Sequence, residues 1–347
     1  MRRFDYSFLC DDKVPARIVN LLTGLYSMKE KNISRMLKYE KIYTELERIA
    51  KVQSIKYSNA IEGIITTDER INAIVNQNSA PLNHDEQEIA GYRDALNTIH
   101  QYHKVDDFKE TDIKKLHNLM MILSSYEAGE YKTSDNVIME VWSDGTRHIR
   151  FTPISASETE EAMHQWYLAY IDARDNSKIN RLLLIPCVIL DFLCIHPFAD
   201  GNGRVSRLLS LLLLYHAGFD VGKYISFEEQ INKNKNMYYE SLRKSSIGWH
   251  ENTNDYYYFI ENFITNLFLC YKELDKRFTT VNSSKVTKAN RIEATVLESI
   301  LPISKKEISM ILPDVSPTTI EAVLGKMVKE GKIKKVGAAS QTHYVKK

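Results

Sequence analysis

The chain has 347 residues, 44% of them hydrophobic and 26% charged, the composition of an ordinary globular protein with room for two or three compact units. Its 46 lysines and arginines against 45 aspartates and glutamates give a formal charge of +1. This near-neutral balance excludes an overall field that would draw the whole molecule to nucleic acid or to an anionic membrane. Residues 283–347 differ, with twelve basic side chains against six acidic ones.

Cysteine spacing and the apolar runs indicate a cytoplasmic protein without membrane contact. The 4 cysteines are scattered, and no C-x-x-C pair indicates zinc, so buried free thiols are expected. The first residues, MRRFDYSFLCDDK, lack the apolar core of a signal peptide. The longest apolar run, residues 182–195, is interrupted by Pro186 and Asp191 and is shorter than the ~20 residues of a membrane span.

Helical periodicity dominates the chain. One long amphipathic helix is predicted over residues 33–63, with Gly63 at its end. Two further helices are predicted over 85–103 and 111–123, the second with Thr111 as its N-cap.

A β-hairpin is predicted next. The stretches NVIMEVW and RHIRFTP are rich in β-branched and aromatic residues, and the Asp144-Gly145 pair between them is typical of a tight turn. Taken alone, the hairpin favours a surface feature that has no role.

The rest of the chain again favours helices. They are predicted over residues 157–173, 178–195, 203–217, 234–246 and 256–274. The stretch TTVNSSKVTKAN has the composition of a linker, and three short helices and a basic hairpin follow it. The predicted fold class is mainly α, with one hairpin in the main body and a small C-terminal module.

The stretch HPFADGNGRVSR, residues 196–207, lies between two apolar helices. Pro197 ends the first helix, and helical periodicity resumes near Gly203, so DGNG is a loop at a helix N-terminus. Main-chain N–H groups and the helix dipole attract anions there, and glycines let a phosphate approach closely.

Two arginines strengthen that interpretation. Arg204 and Arg207 oppose the helix dipole unless an anion lies beside them, and Asp200 suits Mg²⁺, which binds one or two carboxylates together with substrate phosphates. A lone His-Pro or G-x-G is more often structural, and the Walker A pattern is absent. The occurrence of the histidine, the aspartate, the glycines and both arginines within twelve residues therefore predicts a polyphosphate site.

The complete stretch matches HPFx[D/E]GNGRxxR and thereby resembles the signature of the Fic (Fido) family. The resemblance implies a Fic-type helical core and a protein adenylyltransferase, which transfers AMP from ATP to a Tyr, Thr or Ser hydroxyl of a target protein. It implies that His196 is the general base, for which an imidazole suits neutral pH. Phe198 would anchor the loop and Asp200 would bind Mg²⁺. The implied nucleotide-binding residues are Gly201, Asn202, Gly203, Arg204 and Arg207.

The same resemblance gives the hairpin a role. Residues 136–153 would form a flap that docks the target segment as an added strand. The residues implied nearest the site are Ile149, Arg150, Phe151 and Thr152. The family often has an arginine after the Gly-x-aromatic before the flap, where this chain has Lys132. The stretch MYYESL resembles the segment whose tyrosine lines the adenine pocket, which indicates Tyr239 or Tyr238, although tyrosines at this spacing also fit a core.

Glu62 lies directly before Gly63, where a carboxylate opposes the helix dipole by ~0.3–1 kcal/mol. Surface glutamates often occupy such positions by chance. The stretch SNAIEG, however, resembles the family's inhibitory motif [S/T]xxxE[G/N], and its spacing places Ser58 and Glu62 on one helix face. The resemblance implies that Glu62 pairs with Arg207 and excludes the γ-phosphate of ATP, so that the N-terminal helix inhibits the enzyme.

The C-terminal residues resemble a winged helix-turn-helix, with SPTTIEAVLGKMVKEG as recognition helix and KIKKVGAASQTHYVKK as wing. A protein-contact module is equally consistent, because the first turn of that helix has no arginine. DNA or a protein is the partner expected here. The predicted division is an N-terminal helical region (1–109), a catalytic domain (110–272), a linker (273–290) and this module (291–347).

Three functions are compatible with these features. The first is an adenylyltransferase autoinhibited by Glu62, which would use ATP and Mg²⁺ and act on a protein target. The second is removal of AMP from a modified target, with Glu62 positioning a water. The third is a transcriptional regulator whose Fic domain senses a nucleotide. Phosphate transfer is disfavoured, because relatives with that activity replace the second motif glycine with lysine. Relatives often dimerise, which makes a homodimer compatible with the sequence, although no pattern in the sequence indicates an oligomeric state.

Overall fold

The structure is a computed structural model that describes residues 2–11, 13–102, 108–124, 127–141, 145–282, 287–297, 299, 302–337 and 342–346. Within these ranges the chain forms fourteen α-helices and two small antiparallel sheets, which confirms the predicted mainly α fold. The first eleven helices are α1 (Ala16–Lys38), α2 (Glu40–Ile61), α3 (Asp68–Gln77), α4 (His84–Tyr102), α5 (Glu110–Met121), α6 (Thr159–Asp175), α7 (Arg181–Ile195), α8 (Asn202–His216), α9 (Phe227–Lys233), α10 (Lys235–Ser246) and α11 (Tyr257–Asn282). The remaining elements are β1 (Ile138–Val141), β2 (Arg147–Phe151), α12 (Lys288–Leu297), β3 (Ile303–Ser304), α13 (Lys305–Ile311), α14 (Pro317–Lys329), β4 (Ile333–Val336) and β5 (His343–Lys346).

The predicted single helix over residues 33–63 is wrong at Tyr39, where the chain breaks into α1 and α2. Tyr39 has φ −128° and ψ 39°, outside the helical region, and its ring packs against Phe278 with the centroids 5.6 Å apart. The break lets α1 pack along α11 while α2 packs against α4 and α9. Helix α2 ends as expected, with Gly63 at φ +87°.

Two other predicted boundaries differ from the structure. Thr111 is not an N-cap, because α5 begins at Glu110 and the carboxylate of Asp112 accepts a hydrogen bond from the N–H of Lys109 (2.9 Å). Helix α11 continues to Asn282, so residues 273–282 are helical rather than part of a linker. The buried side chain of Phe278 extends the apolar face of that helix.

Helix α7 is the centre of the core. Almost all of its side chains are buried, and α6, α8, α10 and α11 surround it. Asp191 in this helix accepts hydrogen bonds from the Tyr6 hydroxyl (2.8 Å), the Trp249 indole (2.7 Å) and the Tyr256 hydroxyl (2.9 Å), and Arg2 lies 3.6 Å away. The N-terminal segment and the start of α11 therefore fix the helix that carries the signature histidine at its C-terminal end.

The predicted hairpin consists of β1 and β2, paired antiparallel with Met139 opposite Ile149 and a bulge between Ile138 and Met139. Asp144 of the predicted turn lies outside the described residues. The C-terminal module combines α12–α14 with a sheet of order β3-β5-β4, in which the strand β3 was not expected. Helix α13 packs on α2, with Arg48 2.9 Å from Glu307. Among the helices of the described ranges, none is long and apolar enough to cross a membrane.

Candidate active site

The loop between α7 and α8 is closed by Asn202. Its Oδ1 accepts a hydrogen bond from the N–H of Phe198 (3.0 Å), and its Nδ2 donates to the carbonyl of Phe198 (2.8 Å). The resemblance implies a phosphate ligand at this position, and in the structure the side-chain amide is buried and holds the loop. Asn202 can offer a ligand its main-chain N–H, because the first N–H groups of a helix lack an intrahelical acceptor.

Phe198 anchors the loop as implied, through a contact that the sequence did not reveal. Its buried ring stacks on His117 of α5, with centroids 3.8 Å apart and planes 2° from parallel. Burial lowers the pKa of His117 to about 4, so the ring is neutral. Its Nδ1 accepts from the N–H of Gly129 (2.9 Å), and its Nε2 donates to the carbonyl of Asp200 (3.1 Å). His117 thereby sets the position of the loop directly before the glycines.

His196 adopts the conformation and tautomer that a proton acceptor needs. Its φ of 52° and ψ of 60° are unusual for a residue with a side chain, and such geometry concentrates at functional sites. Nδ1 lies 3.1 Å from the carbonyl of Leu193 and must donate to it, which leaves Nε2 as an acceptor. Burial lowers the pKa of His196 to about 4, so the imidazole is unprotonated at neutral pH.

The N-terminus of α8 is occupied by a carboxylate. Gly201, at φ +77°, precedes the helix, and a Cβ atom on Gly203 would collide with Oε1 of Glu62. The carboxylate of Glu62 therefore lies against the anion-attracting end of α8, where glycines permit close approach.

Arg207 holds that carboxylate. Its Nη2 donates to Glu62 Oε1 (2.8 Å) and to the carbonyl of Ser58 (2.9 Å), and its Nε donates to Ser58 Oγ (2.8 Å). The Arg207 side chain is 2% exposed and that of Glu62 is 33% exposed. Burial works against the charge of Arg207, but the neighbouring Glu62 carboxylate raises its pKa. The structure thus brings Glu62 and Arg207 together, as the family resemblance implies, and adds Ser58 as a second partner of the arginine.

Arg204 has a partner that the sequence did not indicate. Its buried guanidinium forms an ion pair with Glu88 of α4, and Nη2 lies 3.8 Å from Oδ2 of Asp200. Asp200 stands at the rim of the loop with 77% of its side chain exposed, and its Oδ1 accepts from the N–H of Gly201 (2.6 Å). No cluster of three or more His, Cys, Asp or Glu in the described ranges could hold a metal ion. A lone exposed carboxylate fits Mg²⁺ where phosphate oxygens and water complete the shell.

A cavity of about 670 Å³, within the usual range for a ligand site, is lined by Glu62, His196 and the loop and helix start from Asp200 to Arg204, together with Arg207. Helix α10 forms one wall with Tyr239, whose ring is partly buried, while Tyr238 is buried. Lys235 at the start of α10 donates to the carbonyl of Ile61 (2.7 Å) and so closes the end of α2 beside Glu62. No pattern in the sequence indicated Lys235.

Lys132, which stands where relatives often have arginine, supports the loop from outside. Its Nζ donates to Oδ1 of Asn136 (2.8 Å) and to the carbonyl of Ile195 (3.2 Å), and its N–H donates to the carbonyl of Pro197 (2.8 Å). Burial lowers the pKa of Lys132 to about 8. Asn136 also donates to the carbonyl of Phe198 (3.1 Å), so the base of the flap and the loop are joined.

The four flap residues do not all face the same way. Ile149 is 60% exposed and lies opposite the exposed Met139, whereas Arg150 lines the cavity. Phe151 stacks on His250 (5.3 Å between centroids), whose Nε2 donates to the carbonyl of Thr152 (2.8 Å). Strand β2 pairs only with β1 among the described strands, so its other edge has the main-chain groups to accept an added strand.

Comparison with known proteins identifies the same region. Residues 107–214 match the model of the Fic/DOC family. A Fido domain-containing protein of Dictyostelium discoideum is 32% identical over 110 residues, which are 32% of this chain and 71% of that protein. The protein adenylyltransferase Fic of Nematostella vectensis is 28% identical over 207 residues, which are 57% of this chain but only 44% of that protein.

Solved structures show the same fold. A Fic family protein from Desulfovibrio desulfuricans G20 superposes with a TM-score of 0.60 at 20% identity, over 97% of both chains. A Fic domain containing signaling protein from Bacteroides thetaiotaomicron gives a TM-score of 0.58 at 21% identity, over 75% of this chain and 98% of the other. On its signature loop, its fold and its relatives, the chain belongs to the Fic/Fido family.

Proposed function

We propose that the chain is a protein adenylyltransferase that transfers AMP from ATP to a hydroxyl of a target protein and is inhibited by Glu62. The observation that carries this proposal is the position of His196. His196 lines the same cavity as a helix N-terminus and the arginines of the signature, and the hydrogen bond of its Nδ1 leaves its Nε2 as an acceptor. The relative from Nematostella vectensis, named an adenylyltransferase, supports AMP as the transferred group.

In the proposed reaction the target hydroxyl oxygen forms a bond to the α-phosphorus of ATP, and the bond from that phosphorus to the oxygen of the leaving pyrophosphate breaks. His196 Nε2 accepts the hydroxyl proton. Arg207, once freed from Glu62, would bind the terminal phosphates of ATP, and Arg204 would bind these phosphates beside Arg207. Asp200 is the residue that would hold Mg²⁺, which neutralises charge on the phosphates when bound.

Glu62 supports the inhibitory part of the proposal. Its carboxylate lies at the N-terminus of α8 and bonds to Arg207, so it competes with a phosphate for both. The open edge of β2 and the exposed pair of Ile149 and Met139 support docking of the target as an added strand.

Removal of AMP from a modified target is the second candidate. The carboxylate of Glu62 is partly exposed to the cavity that contains His196, where it could orient an attacking water. We propose that the C-terminal module contacts a partner, which is either DNA or a protein. A homodimer is likewise a proposal that rests on the resemblance.

The direct experiment is intact-mass analysis of the chain, with Glu62→Gly to relieve inhibition, after incubation with ATP and Mg²⁺. Addition of AMP to the chain or to a captured target supports the transfer, and its absence in the Glu62→Gly, His196→Ala double variant assigns it to this site. Addition of phosphate alone would contradict the proposal. Loss of AMP from pre-modified protein in the presence of the wild-type chain, without any gain of AMP from ATP in the Glu62→Gly chain, would favour the second candidate.

A further inference from the structure

Four basic side chains of the described residues line the cavity, and three of them have partners. The partnered side chains are Arg204 with Glu88, Arg207 with Glu62, and Lys235 with the carbonyl of Ile61. Arg150 is the fourth. Within the described ranges it has no carboxylate at salt-bridge distance, and its Nε is buried without a hydrogen-bond partner. Arg150 is therefore the basic side chain of the cavity for which the described residues supply neither a carboxylate at salt-bridge distance nor a hydrogen-bond acceptor.

The geometry of strand β2 places the Arg150 side chain on the face that lines the cavity. Side chains alternate between the two faces of β2, and Ile149 faces solvent, so Arg150 faces inward. Its guanidinium carbon lies 5.8 Å from the centroid of the Tyr239 ring. Its charge also contributes to the lowered pKa of His196, after burial, which is the largest cause. Arg150 is thus close to both the catalytic histidine and the wall formed by α10.

An arginine in such a position favours an anion as its partner. Its guanidinium does not lose its proton, and a buried donor without an acceptor destabilises the folded chain. A ligand that supplies negatively charged oxygens would satisfy it with charge-assisted hydrogen bonds. The proposed substrate supplies them.

We propose that Arg150 is a catalytic residue that donates hydrogen bonds to the α-phosphate of the nucleotide, an inference that rests on the proposed function. The glycine loop with Arg204 and Arg207 takes the terminal phosphates, and Tyr239 lines the base end of the cavity. The phosphorus attacked by the target hydroxyl must lie beside His196, and Arg150 is near both His196 and Tyr239. The phosphate within its reach is therefore the one that is transferred.

This placement gives the guanidinium a role in the chemical step. Negative charge on the oxygens of the transferred phosphoryl group needs fixed positive partners, and in this cavity the other arginines are committed to the terminal phosphates. Because Arg150 belongs to the strand whose free edge would receive the target, target docking would also fix the guanidinium. Target binding and activation of the nucleotide would then be linked through one strand.

The first test compares the binding of AMP and adenosine to the full chain by calorimetry. The phosphate of AMP is the α-phosphate, and AMP does not require the displacement of Glu62 from Arg207. Arg150→Ala should weaken AMP binding by about 10- to 100-fold, the range for a charged hydrogen bond, and leave adenosine binding unchanged. Arg147→Ala is the matched control, because Arg147 has the same side chain on the same strand but is exposed. It should leave both affinities unchanged.

The second test measures transfer in the Glu62→Gly background. Arg150→Ala should lower kcat/KM for ATP by roughly 10²–10³-fold, and free guanidine should restore part of the rate to this variant but not to Arg147→Ala. Arg150→Lys should retain part of the AMP affinity, which shows that the fold survives. Equal AMP affinities for Arg150→Ala and Arg147→Ala, or equal losses of AMP and adenosine binding in Arg150→Ala, would overturn the proposal. A Glu62→Gly chain that transfers no AMP would refute the proposed function instead, while the binding comparison still decides the contact.

Discussion

Replacement of Glu62 by glycine should activate the protein. The carboxylate bonds to Arg207 Nη2 at 2.8 Å, and the arginine is 2% exposed while the glutamate is 33% exposed. A charge-assisted hydrogen bond of this kind contributes about 1.5–3 kcal/mol, more than the ~0–1 kcal/mol of a fully exposed pair. Since 1.4 kcal/mol corresponds to a factor of ten, productive ATP binding and AMP transfer should rise by about 10- to 100-fold.

The same substitution should make the free protein less stable. It removes the counter-charge of a buried arginine, and the acceptors that remain for Arg207 among the described residues are the two oxygens of Ser58. The melting temperature should fall in the absence of ligand, and saturating ATP should recover part of the loss because it binds the folded state. If the Glu62 carboxylate occupies the site of a phosphate, the Glu62→Gly variant should show two results together. It should transfer AMP faster than the wild type, and ATP should raise its melting temperature by more than it raises that of the wild type.

The assay is incorporation of label from α-labelled ATP into the chain or a target, at fixed protein concentration. Glu62→Gln should activate to a smaller extent, because its amide oxygen still accepts a hydrogen bond from Arg207 without the charge. Glu69→Gln is the control, since this exposed carboxylate in the first turn of α3 lies outside the cavity. A folded Glu62→Gly protein that transfers less AMP than the wild type would refute the reasoning, because Glu62 would then be catalytic or structural.

Three further predictions concern the base, the flap and pH. His196→Ala should lower the transfer rate by about 10²–10⁴-fold with little change in ATP affinity, by rapid-quench kinetics and calorimetry; undiminished transfer would exclude it as the base. Ile149→Pro removes a main-chain donor from β2 and should weaken target modification but not ATP binding; equal loss of both would mean that the hairpin is structural. The melting temperature should fall as pH drops from 6.5 towards 4, because His117 and His196, with folded pKa values of about 4, gain protons near pH 6.5 only when unfolded. His117→Gln should reduce that slope, and an unchanged slope would contradict the assignment of a neutral His117.

The sequence indicated those parts of the site that depend on neighbouring residues. The loop after α7 and the anion-attracting start of α8 follow from Pro197, the glycines and the return of helical periodicity. The shared face of Ser58 and Glu62 follows from their four-residue spacing. The pairing of Glu62 with Arg207 came from the family resemblance and not from periodicity.

Contacts between residues far apart in the sequence could not be predicted from spacing or periodicity. Glu88 and Arg204 are separated by more than a hundred residues, as are Arg2 and Asp191, and their pairing depends on how the helices pack. The side chain of Asn202 closes the loop because its amide reaches the main chain of Phe198, which no spacing rule indicates. The sequence allows part of the direction of Arg150 to be predicted. Side chains alternate between the two faces of a strand, so Arg150 and Ile149 must lie on opposite faces of β2.

The most direct test of the central claim is parallel incubation of the Glu62→Gly chain with ATP labelled at the α- or the γ-phosphate. Both reactions contain Mg²⁺ and are repeated with Glu62→Gly, His196→Ala. We predict protein-bound label from α-labelled ATP alone, and none in the double variant. Label from γ-labelled ATP, or α-label that survives the loss of His196, would contradict AMP transfer at this site.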